Sequence, residues 1–152
     1  MTRLTRREIL TAMAVATAAT VRIGAQKPMA VQVYKDANCG CCAIWVEHLR
    51  KAGFTATVTD SSDMTAIKRQ HRVPAAVTSC HTALVAGYVI EGHVPAADIQ
   101  RLLKERPAVL GIGVPGMPVG SPGMEVAGTK PQPYDVLAFD KAGKTQVFAS
   151  HR

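Results

Sequence analysis

Three of the chain's four cysteines lie within four consecutive positions, at Cys39, Cys41 and Cys42. An apolar run at residues 30–34 precedes them and predicts a β-strand, and residues 43–49 follow with the apolar spacing of a helix face. The thiols are therefore expected at a strand-to-helix turn, on the N-terminus of the helix. Unpaired N–H groups at such an end favour the thiolate over the thiol. The rest of the chain must form a scaffold that holds reactive sulfur at one helix end.

The spacing of these cysteines is compatible with two kinds of chemistry. Cys39 and Cys42 have the C-x-x-C spacing of thiol–disulfide oxidoreductases, although a third thiol at Cys41 can resolve or scramble a mixed disulfide. Converging thiolates also repel one another, and a soft cation relieves that repulsion. A structural zinc site normally uses two separated cysteine pairs, and an iron–sulfur cluster has no familiar spacing here. Adjacent thiolates suit a multinuclear Cu(I) site, because each sulfur can bridge two ions.

The first 25 residues are expected to be an export signal. A basic start with the pair Arg6-Arg7 precedes an uncharged run at residues 9–21, which is short for a bilayer span. The arginine pair resembles the twin-arginine export motif, and the Sec route is the alternative. Cleavage is expected after Ala25, and the chain would contact a membrane only through this segment if it stayed uncleaved. We therefore predict a periplasmic protein.

The net charge of +7 does not indicate a nucleic-acid partner. Four of the 18 lysines and arginines lie in the export segment, and the remainder contains no basic run. Aromatic residues make up 5% of the chain, which is too few for base-stacking platforms. We predict no nucleic-acid binding.

The pattern after the signal predicts one α/β domain over residues 28–152. Strands are predicted at residues 30–35, 54–59, 73–80 and 83–90, and helices at residues 41–52, 64–71 and 96–105. This β-α-β-α-β-β-α order is thioredoxin-like. In that fold the loop before the third strand, usually with a cis-proline, lies against the cysteine motif, and Pro74 has that place in the sequence. Ile44, Trp45, Leu49 and Ala52 are expected on the buried face of the first helix.

The C-terminal third changes character. Residues 107–132 are rich in glycine and proline and predict a loop, and residues 134–139 and 146–148 predict a β-hairpin. The loop carries Met117 and Met124, whose thioethers suit Cu(I). Both methionines are secondary candidates for the site.

Three further candidates lie between the predicted third strand and the third helix. Cys80 is expected to approach the cysteine cluster, an inference that depends on the predicted fold. His81 in the same turn and His93 before the helix are secondary ligand candidates. Each histidine also has an ordinary interpretation, a solvated turn residue for His81 and a helix cap for His93.

Five separated strings together resemble the DUF411 family. They are Cys39-Gly40-Cys41-Cys42 before Trp45, Val73-Pro74, Ser79-Cys80-His81-Thr82-Ala83, Gly92-His93-Val94-Pro95, and the Gly-Met-Pro to Gly-Met-Glu loop at residues 116–125. The resemblance covers about residues 28–150. It implies a periplasmic, thioredoxin-like copper protein linked to copper resistance. It further implies that Cys39, Cys41, Cys42 and Cys80 hold a thiolate-bridged copper cluster, with a role in copper redox chemistry or handling.

The sequence therefore predicts a periplasmic copper-binding protein of copper resistance that holds Cu(I) in a thiolate-bridged multinuclear cluster, with a change of the copper redox state as a further role. Its partners are copper ions and other periplasmic copper-handling proteins. Two alternatives stay open. The first is a thiol–disulfide oxidoreductase that uses Cys39 and Cys42, and the second is a copper metallochaperone with the same ligands. Copper oxidoreductase activity would make the chain an enzyme, whereas storage or transfer of copper would not.

Overall fold

The computed structural model describes residues 29–152, so the predicted export signal lies outside the described part of the chain. Within this part, strands and helices alternate in a mixed order, which confirms the predicted α/β class. The strands are β1 (Met29–Lys35), β2 (Phe54–Asp60), β3 (Thr82–Val85), β4 (Tyr88–Glu91), β5 (Gly111–Gly113), β6 (Tyr134–Phe139) and β7 (Thr145–His151). The helices are α1 (Gly40–Lys51), α2 (Met64–Gln70) and α3 (Ala96–Glu105).

The strands of the described residues form one sheet in the order β2-β1-β3-β4-β5-β6-β7. β1 pairs in parallel with β2 and antiparallel with β3, and β3 pairs antiparallel with β4. β5 is parallel to β4, and β6 and β7 extend the sheet in antiparallel fashion. A parallel pair needs a crossover, and α1 supplies it for β1 and β2. The first turn of α1 therefore lies at the carboxyl end of β1.

The register of the sheet places three distant segments at that same end. Tyr34 in β1 is opposite Thr82 at the start of β3, and Thr82 is opposite Glu91 at the end of β4. The residues just before Thr82 and just after Glu91 must therefore lie beside the turn that leads into α1. They include Cys80, His81 and His93.

The core lies between the sheet and the two longer helices. Trp45 and Leu49 of α1 and Ile99 and Leu102 of α3 are fully buried. The Trp45 indole N–H donates to the carbonyl oxygen of Val94 at 2.8 Å, which fixes α1 beside the segment that enters α3. No helix within residues 29–152 combines the length and the apolar character needed to cross a membrane.

The expected buried face of α1 is wrong at one position. Ile44 is 57% exposed, whereas Val46 is buried. Helical spacing explains the difference, since Cys42, Trp45, Val46 and Leu49 share one face and Ile44 lies off it.

The predicted third strand at residues 73–80 is also wrong. This segment contains a 3₁₀ turn (Ala75–Val77), and the β3–β4 hairpin lies later in the chain. Ala86 and Gly87 connect β3 to β4 with φ angles of 47° and 89°, the left-handed backbone that two-residue hairpin turns favour. The run at residues 83–90 is therefore two strands and a turn, not one strand.

Pro74 does not have the place expected from the thioredoxin-like pattern. The described residues contain no cis peptide bond, so Pro74 is trans. A Cβ placed on Gly143 would lie 3.5 Å from the Cβ of Pro74, which puts this proline beside the β6–β7 turn. The segment that reaches the cysteines is instead the one that ends at Cys80.

The glycine- and proline-rich region contains a strand that the sequence pattern did not predict. β5 pairs Gly111 with Val89 and with Phe139, so it joins the hairpin β6–β7 to the rest of the sheet. A Cβ on Gly111 would collide with the Val89 carbonyl, and one on Gly113 would lie 3.0 Å from the Cβ of Glu91. These glycines permit close contact between backbones and do not break the strand.

Candidate metal centre

Three of the cysteines lie at the start of α1, as the sequence predicts. Cys39 is the residue before the helix, and its N–H donates to the carbonyl oxygen of Asp36 at 3.0 Å. The Asp36 carboxylate accepts a second N–H, from Asn38, at 2.8 Å. These two bonds close the turn between β1 and α1. No side chain caps the helix and its first turn has no acidic residue, so its free N–H groups favour negative charge on nearby sulfur.

The four sulfur atoms lie close together. Cys39, Cys41, Cys42 and Cys80 have Sγ atoms that are all within 4.8 Å of one another. Cys39 and Cys42 form a disulfide with a Cα–Cα distance of 5.4 Å, and Cys41 and Cys80 are free thiols. The Cys41 Sγ is 3.6 Å from the Cys39 Sγ. Cys80 therefore reaches the cluster, and two of the four sulfurs are engaged with each other in this oxidised form.

A buried ion pair holds the segment that carries Cys80. The Glu91 side chain has no solvent exposure, and it contacts the Lys68 ammonium group at 2.5 Å. The Glu91 carboxylate also accepts the backbone N–H of Ser79 at 2.7 Å and the Thr82 hydroxyl at 2.7 Å. Burial raises the pKa of Glu91, and the charge of Lys68 acts in the opposite direction. Glu91 thus fixes the backbone on either side of Cys80 and His81.

Burial also changes the acidity of Cys80. Burial, together with the nearby Cys41 thiol, raises the pKa of the Cys80 thiol to about 11. The metal-free thiol is therefore protonated at neutral pH. A cation that binds Cys80 must displace this proton, so binding is coupled to proton release.

Both secondary histidine candidates lie against Cys80. The Cys80 Sγ is 3.2 Å from His81 Nδ1 and 3.0 Å from His93 Nε2. Both rings are fully buried, so His81 is not a solvated turn residue. His93 is not a helix cap, because its two ring nitrogens contact Cys80 and Pro122 and not the start of α3. Burial lowers the pKa of each imidazole, which keeps both rings neutral and able to act as ligands.

A backbone contact defines which nitrogen of His93 faces the sulfur. His93 Nδ1 lies 2.8 Å from the carbonyl oxygen of Pro122. A carbonyl can only accept, so Nδ1 carries the proton in the neutral ring and donates it. The Nε2 lone pair is then directed at Cys80. Metal-binding histidines are commonly oriented in this way by a second partner.

The glycine- and proline-rich loop covers the site through Pro122 and Gly123, which are both buried. Met117 and Met124 lie on either side of this contact. Met117 is 51% exposed, and Met124 is partly buried. Their assignment as residues that face the site stays a prediction.

Two contributors to the site had weak signals in the sequence. Glu91 ends an apolar run and directly precedes Gly92-His93. An acidic residue at the end of a buried strand needs a charged or hydrogen-bonding partner, and that need is the signal. Pro122 acts through its carbonyl oxygen, which no side-chain pattern can reveal. The predicted cysteines, in contrast, were found from residue type and spacing alone.

The donor set is suited to a soft metal ion. Thiolate sulfur and neutral imidazole nitrogen are the donors that Cu(I) and Zn(II) prefer, and no carboxylate is part of the cysteine and histidine groups that the described residues bring together. The arrangement also allows dithiol–disulfide exchange, because the Cys39–Cys42 disulfide lies at a helix N-terminus. The residues therefore fit copper, and they fit both chemistries that the sequence left open.

Comparison with known proteins adds the family. Residues 77–124 match the family model described as "Protein of unknown function, DUF411". The solved structure "Copper resistance protein copG- Form 2" is 46% identical, with a TM-score of 0.78 over 83% of this chain and 100% of that chain. The Form 1 structure is also 46% identical, with a TM-score of 0.77 over 82% and 98% of the two chains. A comparison with curated proteins finds no match. The chain therefore belongs to the DUF411 family, together with the copper resistance protein CopG.

Proposed function

We propose that this chain is a periplasmic copper-binding protein of copper resistance. In its reduced form it holds Cu(I) through Cys39, Cys41, Cys42 and Cys80, as a thiolate-bridged multinuclear cluster. The printed name of the similar structures, copper resistance protein, supports the biological role. Copper-handling proteins of the same compartment are the partners that would deliver or receive the metal.

One observation carries the proposal. The four Sγ atoms lie within 4.8 Å of one another, although they come from the start of α1 and from the approach to β3. Four thiolates at such distances repel strongly unless cations lie between them. Cu(I) is the soft ion whose thiolates bridge most readily, so several ions can share four sulfurs.

The disulfide defines the condition for this cluster. Cys39 and Cys42 must first be reduced by two electrons, for example from a dithiol, with two protons taken up by the sulfurs. The Cu(I) ions then displace protons from the thiols. We therefore expect cluster formation in the reduced protein only.

We propose that the scaffold is thioredoxin-like. The support is the sheet order β2-β1-β3-β4, with β1 parallel to β2 and β3 antiparallel to both of its neighbours. The cysteines at the start of α1 are also in the place that this fold uses for redox cysteines. Export through the segment at residues 1–25 and the participation of Met117 and Met124 belong to the same proposal.

The direct test is the stoichiometry of Cu(I) binding under anaerobic, reducing conditions. The wild type should bind more than one Cu(I) per chain, and Cys41→Ser should lower that number sharply because a bridging sulfur is lost. Ala43→Ser is the matched control, since it adds the same hydroxyl at an exposed position of the same helix. Unchanged stoichiometry in Cys41→Ser would contradict the cluster.

The Cys39–Cys42 disulfide favours one second candidate, a thiol–disulfide oxidoreductase. Such an enzyme needs only these two cysteines, so Cys41→Ser should retain its rate in a disulfide-exchange assay. If the copper cluster is the function, Cys41→Ser should instead lose copper. Transfer of bound Cu(I) to a second protein would identify a metallochaperone, and turnover between Cu(I) and Cu(II) would identify a copper oxidoreductase.

A further inference from the structure

We propose that the protein has a second, mutually exclusive copper site that forms while the Cys39–Cys42 disulfide is closed. Its ligands are Cys80, His81 and His93, and it holds a single Cu(I) ion. The inference deepens the proposed function, because it assumes that the chain binds copper and names what binds it in the oxidised form. Nothing about the four-cysteine cluster requires this site.

The geometry of the three ligands carries the proposal. Their donor atoms, one sulfur and two ring nitrogens, lie within 4.8 Å of one another. The Cys80 Sγ is 3.2 Å from His81 Nδ1 and 3.0 Å from His93 Nε2. With metal–sulfur and metal–nitrogen bonds of about 2.3 and 2.0 Å, as in zinc sites, sulfur and nitrogen on one ion lie about 3.6 Å apart. The three side chains thus need to separate by roughly half an ångström to admit an ion.

The orientation of His93 is set before any metal arrives. Its Nδ1–H donates to Pro122, so the Nε2 lone pair faces Cys80 without rearrangement. Trp45 and His93 confine the ring of His81, with ring centroids 4.3 and 5.0 Å away. Both imidazoles are therefore held in place by contacts other than the metal, which lowers the entropy cost of binding.

Burial of the His81 ring lowers the stability of the metal-free protein, and a ligand role would explain why a histidine is nevertheless present. Its Nε2 is buried and has no hydrogen-bond partner among the described residues. An unpaired buried polar atom typically costs about 1–3 kcal/mol. An apolar side chain between Trp45 and His93 would avoid that cost. A ligand role for the Nδ1 atom, which faces Cys80, accounts for a histidine in this place.

The net charge of the complex favours Cu(I) bound by Cys80, His81 and His93 over Cu(I) bound by the two free thiols. Cu(I) with one thiolate and two neutral imidazoles has no net charge, which suits two fully buried rings. Cu(I) bound by both Cys41 and Cys80 would carry one negative charge in the same place. The cluster needs the Cys39–Cys42 disulfide open, whereas the histidine site forms while it is closed, so one chain does not fill both sites together.

The test compares Cu(I) binding by oxidised and reduced protein without oxygen. Alkylation and mass spectrometry first verify that the oxidised sample has two free thiols, Cys41 and Cys80. Addition of Cu(I) alone, in competition with a chelator, should give one ion per oxidised chain. X-ray absorption on the oxidised wild type should show one sulfur and two nitrogen neighbours, whereas the reduced protein should show sulfur neighbours and copper–copper distances.

Two substitutions separate this site from the cluster. His93→Gln should weaken Cu(I) binding by the oxidised form at least about tenfold and leave the reduced stoichiometry unchanged. Cys41→Ser should do the reverse, with one Cu(I) retained in the oxidised form. His71→Gln is the matched control, because His71 is a partly buried histidine that stacks on Tyr34 and lies outside the histidine and cysteine groups.

Each result decides between the proposals. Two sulfur neighbours in oxidised wild type, or no copper bound, would overturn the histidine site while the reduced cluster stood. A single copper with two nitrogens in both forms would support the histidine site and remove the cluster. The absorption measurement uses the wild type, so the test does not depend on how well any variant folds.

Discussion

Gly123 lies directly against the backbone of Cys41. A Cβ at position 123 would be 2.8 Å from the Cys41 carbonyl oxygen and 3.0 Å from the Trp45 nitrogen. Both neighbours belong to α1, which cannot move without moving the cysteines. The loop thus covers the first turn of α1 at a distance that only glycine permits.

We expect Gly123→Ala to lower the free energy of unfolding by roughly 2–4 kcal/mol, from backbone strain at a φ of +88° and from overpacking. Gly128→Ala is the matched control, with a φ of +74° and no atom within 4 Å of the added Cβ. Gly128→Ala should lower the free energy of unfolding only through backbone strain, by about 1–2 kcal/mol. Chemical denaturation measures both, and equal losses would show that the contact with α1 is unimportant.

The buried pair of Glu91 and Lys68 predicts a large loss of stability at a position that is not among the proposed metal ligands. Glu91→Gln leaves the Lys68 charge uncompensated, so we expect a loss of about 3–5 kcal/mol in unfolding free energy. Glu47→Gln removes an exposed carboxylate from its pair with Arg50 and should cost less than about 1 kcal/mol. If the two variants were equally stable, Glu91 would not be the anchor of the Cys80 segment.

His81 and His48 should respond in opposite directions to loss of the imidazole. His81→Phe removes the unpaired Nε2, so the metal-free protein should be as stable as the wild type or more stable. His48→Phe removes the acceptor of the Ala96 N–H, a bond of 3.0 Å, and should cost about 1–3 kcal/mol. Thermal unfolding of metal-free protein tests the contrast. A strongly destabilised His81→Phe would indicate a structural role for that ring.

Trp45 is the chain's single tryptophan and lies beside the proposed copper ligands. Its ring is 4.3 Å from that of His81, so copper bound at either proposed site should change its fluorescence. A titration with Cu(I) should break at one equivalent in the oxidised form and later in the reduced form. Ca²⁺ is the control, because it prefers oxygen ligands and should leave the emission unchanged.

The sequence predicted those parts of the fold that depend on local pattern. The bounds of α3 and of β6 agree with expectation, since apolar periodicity and turn residues mark them. The β3–β4 hairpin was missed because Ala86 does not signal a left-handed turn, and only the pairing with β1 fixes its place. β5 was missed because its glycines are required by neighbouring backbones that are distant in sequence.

For the candidate site too, the sequence predicted what depends on local pattern and missed what depends on strand pairing. Residue type and spacing were enough to identify Cys39, Cys41 and Cys42 as a reactive turn, and their roles as ligands stay a prediction. The burial of His81 and His93 could not be read from the sequence, because it arises from the register between the ends of β1, β3 and β4. The orienting carbonyl of Pro122 is a backbone atom, and sequence patterns carry information about side chains.

The Cys39–Cys42 disulfide has a thermodynamic consequence. If copper binds more tightly after this bond opens, then copper must also make the bond harder to re-form, by the same factor. Each tenfold preference of copper for the open form raises the midpoint potential of the disulfide/dithiol couple by about 30 mV. Copper occupancy and the redox state of the Cys39–Cys42 pair are then linked, so the shift in midpoint potential with copper concentration reports how strongly copper prefers the open form.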